Sequence, residues 1–254
     1  DGHCFLTSEQ ITHNTALLLK TDRPEQILAS LESLLSTNQI KRRQIPGQGD
    51  QKSAAYYSNS LFFDEQYVAG RIVECSKNVV QHDHSRVTHW IEQYCEKYAV
   101  SLSSEQQASI AGIAGHPFSI LTGGPGCGKT TTTKVLVKLL YAMKKKVVLA
   151  APTGRAAQRM SEVIGQEAKT IHRLLEWTPE RNPEGSKDKN GFKNHAGNPL
   201  KLDFLIVDEC SMLDINLCAS LLKAVPPCAQ VLFIGDPDQL PSVGAGNVLF
   251  DLLQ

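Results

Sequence analysis

Gly123-Gly124-Pro125-Gly126-Cys127-Gly128-Lys129-Thr130 lies between an apolar run, Phe118 to Leu121, and a stretch of helical periodicity through Val135, Leu136, Leu139, Leu140 and Met143. No other feature limits the fold as strongly. The spacing G-x-x-x-x-G-K-[ST], after a strand and opening a helix, is a phosphate-binding loop. Its glycines let backbone N–H groups converge on phosphates, and the helix N-terminus adds partial positive charge. On this reading Lys129 reaches the β- and γ-phosphates of a nucleotide, and the Thr130 hydroxyl binds Mg²⁺. Cys127 fills a variable position that contributes only its backbone; a redox role is the alternative.

Three further runs are almost wholly apolar: Val147 to Ala151, Phe204 to Val207 and Val231 to Ile234. Runs apolar on both faces mark strands buried in a parallel sheet, and strands alternating with helices make an α/β domain. Each strand hands polar residues to the sheet's carboxyl edge, where ligands bind in open α/β folds. Asp208 and Glu209 follow the third run. An acidic pair there would alone be a solvated strand end; beside a phosphate loop, Asp208 holds the metal and Glu209 deprotonates the attacking water. Gln239, in Gly235-Asp236-Pro237-Asp238-Gln239-Leu240, is neutral, donates and accepts, and suits sensing a γ-phosphate; the bland reading is an Asp-Pro turn. Pro152, Thr153 and Arg155 leave the second strand, and Thr153, Arg155 and the amides after them offer donors to a phosphate backbone. A strand-to-helix turn accounts for them equally well. Thr170-Ile171-His172-Arg173-Leu174-Leu175 is similar, with His172 read as a packed or hydrogen-bonded ring rather than a catalytic one.

The first hundred residues read as a small, mostly helical domain. Thr7 or Ser8 caps one helix, Pro24 opens a second, Asp64 caps a third through Val68 and Ile72, and a fourth holds Trp90, Ile91 and Tyr94. Ala54 to Tyr57 and Leu61 to Phe63 flank Ser58-Asn59-Ser60 as a short hairpin. The boundaries expected are 1–98 for this domain and 99–254 for the ATPase domain, with a polar insertion at about 177–201. Twenty-six Lys plus Arg balance 26 Asp plus Glu, which excludes a polybasic protein but not a local basic groove. The longest apolar runs are far short of the roughly 20 residues of a membrane helix, and no signal peptide is visible. The seven cysteines lack zinc or redox spacing and read as reduced thiols of a cytoplasmic protein. With Asp1 first and Gln254 last, the chain is expected to be a piece of something longer.

Taken in order, these runs resemble superfamily 1 DNA helicases, within them the RecD/TraA family, and most of all the long stand-alone RecD-like (exodeoxyribonuclease V alpha-like) helicases. The carrying residues are Leu102 to Gln106, T-G-G-P-G-C-G-K-T-T-T from Thr122, A-P-T-G-R-A-A from Ala151, T-I-H-R-L-L from Thr170, D-E-C-S-M from Asp208 and G-D-P-D-Q-L-P-S-V-G-A-G-N-V-L from Gly235. The resemblance implies a RecA-like domain, ATP with Mg²⁺, and 5′-to-3′ movement on single-stranded DNA. It implies that Gln106 meets the adenine edge, beside a nucleotide set of Gly123, Gly124, Pro125, Gly126, Cys127, Gly128, Lys129, Thr130 and Thr131. It implies Pro152, Thr153, Arg155, Thr170 and His172 as DNA contacts. The insertion would include a duplex-splitting pin near Gly191 to His195. Duplex junctions and other repair proteins would be partners. A second RecA-like half would supply an arginine for the transferring phosphoryl group, so the 254 residues alone are expected to hydrolyse ATP poorly and not to unwind. The alternatives are a P-loop ATPase switch that regulates a protein partner, and a DNA-binding module in residues 1–98.

Overall fold

The computed structural model describes residues 2–20, 23–46, 52–77, 80–177 and 191–254. In chain order the elements are β1 (Phe5–Thr7), α1 (Ser8–Leu19), α2 (Pro24–Ser36), β2 (Ile40–Pro46), β3 (Lys52–Ser58), α3 (Asn59–Ser76), α4 (His84–Tyr98) and α5 (Ser104–Gly115). There follow β4 (Phe118–Thr122), α6 (Lys129–Ala142), β5 (Val147–Ala151), α7 (Gly154–Ile164), β6 (Ala168–Thr170), α8 (Ile171–Leu174), β7 (Phe204–Val207), α9 (Ile215–Ala224), β8 (Gln230–Gly235) and α10 (Val248–Asp251).

The second half is an α/β domain of RecA-like form. Its five strands run in the order β4-β8-β7-β5-β6, and every neighbouring pair is parallel. Strand periodicity explains the layering. In β7, Leu205 and Val207 face one hydrophobic core while Phe204 and Ile206 face the other; in β8, Val231 and Phe233 divide from Leu232 and Ile234 in the same way. Helices α3 and α9 cover the first face, and α4, α5, α6 and α7 the second. The apolar run Phe118 to Leu121 is an edge strand and is only half-buried. β6 was not anticipated. Its Ala-Lys-Thr sequence carries no apolar run, and it forms by pairing with the exposed edge of β5.

In the first half, Thr7 caps α1 with a full capping box closed by Gln10, and Pro24 occupies the first turn of α2. The hairpin expected across Ser58-Asn59-Ser60 is not there. β3 instead pairs antiparallel with β2 on one side and β1 on the other. Ser58 accepts a hydrogen bond from the Leu61 amide and so starts α3. The Ser-Asn-Ser signal is therefore a helix cap rather than a turn, Leu61 to Phe63 are helical, and Asp64 lies inside α3 instead of capping it. Helix α3 does not stand apart from the ATPase domain. Its Val68 joins the core under β7 and β8, Arg71 donates to the Pro226 carbonyl at 3.1 Å, and Asp64 pairs with Lys223 at 2.8 Å. Val87 and Ile91 of α4 likewise belong to the core of the other face. The seven cysteines form no disulfide. Among the described residues no helix is long and apolar enough to cross a membrane.

Candidate nucleotide-binding site

At the carboxyl edge of the sheet, β4 leads into the glycine-rich loop and the loop into α6. Gly126 and Gly128 have φ of 81° and 77°, a region that favours glycine. A Cβ at Gly128 would also lie 2.4 Å from Gln106 Nε2. Gly128 is the N-cap of α6 and offers no side-chain cap, so the first amides of a 14-residue helix keep their donors for an anion. Lys129 Nζ donates to the carbonyls of Gly123 and Gly124. A cavity of about 340 Å³ opens beside this loop. It is lined by Gly124, Pro125, Gly126, Cys127, Gly128, Lys129 and Thr130, and also by Asp208, Glu209 and Gln239. The cradle therefore fits a polyphosphate, and the carboxylates fit a divalent cation between phosphate and protein.

The sheet order brings these groups together. β8 lies between β4 and β7, so Gln239, beyond the end of β8, falls between the loop and the acidic pair. Asp208 continues from β7, its amide donating to the Ala150 carbonyl at 3.0 Å. Its carboxylate accepts the Glu209 amide at 2.9 Å. Burial pushes the Asp208 pKa up; that amide, Arg159 and Lys129 pull it back. Burial also raises Glu209, helped by the neighbouring Asp208 charge and opposed by Arg159 and Lys129. Glu209 has φ 56° and ψ 42°, a left-handed conformation that is strained for a non-glycine residue and collects at functional sites.

Other expected residues lie outside the cavity lining. Gln106 closes a capping box at the start of α5, its Oε1 accepting the Ser103 amide at 2.9 Å. Its Nε2 donates to the Cys127 carbonyl at 3.2 Å, so the side chain braces the loop. Thr131 is exposed on α6. Thr153 caps α7 by accepting from the Ala156 amide at 3.3 Å; Pro152 precedes it and Arg155 is exposed on the first turn. Thr170 caps α8, accepting from Arg173 at 3.2 Å. His172 is exposed and packs against the rings of Trp177 and Phe192. These five residues share the carboxyl edge of β5 and β6, apart from the cavity. Of the expected insertion at about 177–201, residues 178–190 lie outside the described residues; in the Gly191 to His195 run, where the pin was expected, Phe192 bridges to Trp177 and His195 to Asn198.

Sequence reasoning missed the α7 wall of the cavity: Arg159, Met160, Val163 and Ile164. Arg159 and Val163 stand one helical turn apart and share a stripe. The apolar period Ala157, Met160, Ile164 was the available signal, since it fixes which side of α7 meets the protein.

An AAA domain profile matches residues 106–245, more than half of the chain. The chain belongs to the AAA domain family. The relatives it matches include RecD2 and RecD proteins. It is 46% identical over 159 residues to the ATP-dependent RecD2 DNA helicase of Deinococcus radiodurans, covering 63% of this chain and 21% of that protein. It is 35% identical over 233 residues to the RecBCD enzyme subunit RecD of Haemophilus influenzae, covering 79% and 35%. The RecBCD enzyme subunit RecD of Mycolicibacterium smegmatis is 38% identical over 173 residues, covering 59% and 30%. The chain thus spans between about a fifth and a third of the relatives it matches.

Proposed function

We propose that this AAA-family chain is the N-terminal region and first motor domain of an ATP-dependent 5′-to-3′ DNA helicase that works in the cytoplasm on DNA repair or recombination intermediates. The observation that carries this reading is the single cavity shared by the glycine loop, Lys129, the Asp208–Glu209 pair and Gln239. Lys129 and the α6 amides bind the phosphates. Thr130 and Asp208 hold Mg²⁺, which when bound neutralises charge on the phosphate oxygens. Glu209 takes a proton from water, a task that its raised pKa suits. Gln239 senses the terminal phosphate, and Gln106 joins the nucleotide site through the loop it braces.

Pro152, Thr153, Arg155, Thr170 and His172 form the single-strand track at the edge of β5 and β6, and the insertion meets duplex junctions. A second RecA-like half of the same protein completes the motor. The 254 residues by themselves bind Mg-ATP weakly and do not unwind. Binding of a labelled oligonucleotide, followed by anisotropy across a salt titration, tests the DNA part. Arg155→Ala should weaken binding alike for all sequences and flatten the salt slope by about 0.7, the loss of one phosphate contact. An unchanged affinity and slope would favour the regulatory ATPase switch instead.

A further inference from the structure

Arg159 has no place in the proposed chemistry, yet its side chain lines the same cavity as Lys129, Asp208 and Glu209. Among the described residues it has no hydrogen bond and no ion pair, so its five donors are uncommitted. Helix α7 holds it in place: Thr153 caps one end, Gly165 closes the other in a left-handed turn, and Ala157, Met160 and Ile164 are buried beneath. Arg159 adds a second cationic side chain to a cavity that also holds two carboxylates. Without Arg159, Lys129 faces Asp208 and Glu209 alone, and buried Asp236 adds a further negative field at Glu209. A triphosphate with its metal is itself anionic and would meet a wall of net negative side chains. The shared lining sets Arg159 in one cavity with Asp208 and Glu209, the groups that would hold the metal and the attacking water.

We propose that Arg159 is a phosphate-binding residue supplied by α7 of this same domain, contacting the terminal phosphate of ATP and so distinguishing ATP from ADP. A guanidinium suits the task because its planar fork bonds phosphate oxygens two at a time. The proposal rests on the nucleotide reading of the cavity.

Calorimetric titration of the 254-residue chain with a non-hydrolysable ATP analogue and with ADP, each with Mg²⁺, separates the two. Arg159→Ala and Arg159→Gln should weaken the analogue about tenfold or more and ADP less than about threefold, with Arg159→Lys recovering part of the loss. A purely structural role would weaken both nucleotides equally. That result, or affinities matching wild type in both variants while Lys129→Ala weakens both ligands, overturns the proposal and leaves the nucleotide site standing. If wild type binds neither nucleotide, the site reading fails and this proposal with it. Arg159→Gln keeps the Cβ–Cγ stem and a polar, uncharged end, so the comparison survives if the alanine variant melts early.

Discussion

At the scale of single residues, the cavity holds groups that cost stability. Burial raises the Asp208 pKa, so the folded state retains a proton there at pH values where the unfolded chain has lost it. Stability tied to Asp208 is then highest below its ordinary carboxylate range and falls as pH rises through the raised value. Asp208→Asn removes that penalty. Thermal unfolding at pH 7 should show a higher Tm for the variant and a flatter decline of Tm between acid and neutral pH, while ATP hydrolysis is lost. A lower Tm at pH 7 would show that the carboxylate is stabilised by its surroundings. Glu209 carries a second cost, in its backbone. Glu209→Gly relieves a left-handed conformation worth on the order of 1 kcal/mol and should leave denaturant stability equal or higher while hydrolysis disappears. Arg159 shows what single residues hide from sequence reasoning: one arginine in a helix has no motif around it, and only the cavity that α7 shares with the loop singles it out.

At the scale of elements, legibility followed the amount of surface each segment buries. β5, β7 and β8 were readable because every residue meets a core on one face or the other, leaving an uninterrupted apolar run. β6 has three half-buried residues and takes its form from β5, so nothing in Ala168–Thr170 announces it. Ser58-Asn59-Ser60 failed for a different reason. Serine and asparagine serve turns and helix caps by the same side-chain hydrogen bond, and the choice depends on the partners β3 finds elsewhere, of which β1 is far away in the chain. The central strands should respond accordingly. Phe233 is fully buried and stacks edge-on with Phe118 at 5.2 Å; Phe233→Ala should lower the free energy of unfolding by about 3–5 kcal/mol, read by urea titration.

At the scale of the whole molecule, the first hundred residues are tied to the ATPase half rather than hung beside it. Lys223 of α9 pairs with Asp64 of α3 at 2.8 Å and sits over the Tyr67 ring at 5.2 Å. Asp64 is 8% exposed, so removing its partner strands a buried carboxylate. Lys223→Ala should cost about 1–3 kcal/mol and speed hydrogen exchange in α3 before it does so in β7 or β8. Uniform exchange would mean that the contact between the halves carries little energy.

The central claim is that the loop before Lys129 and the carboxylates after β7 form one nucleotide site. Calorimetric titration of the chain with Mg²⁺ and a non-hydrolysable ATP analogue tests it most directly, with Lys129→Ala alongside. The account predicts saturable one-to-one binding by wild type and a loss of about tenfold or more in the variant. No binding by wild type, or equal binding by both, would contradict it.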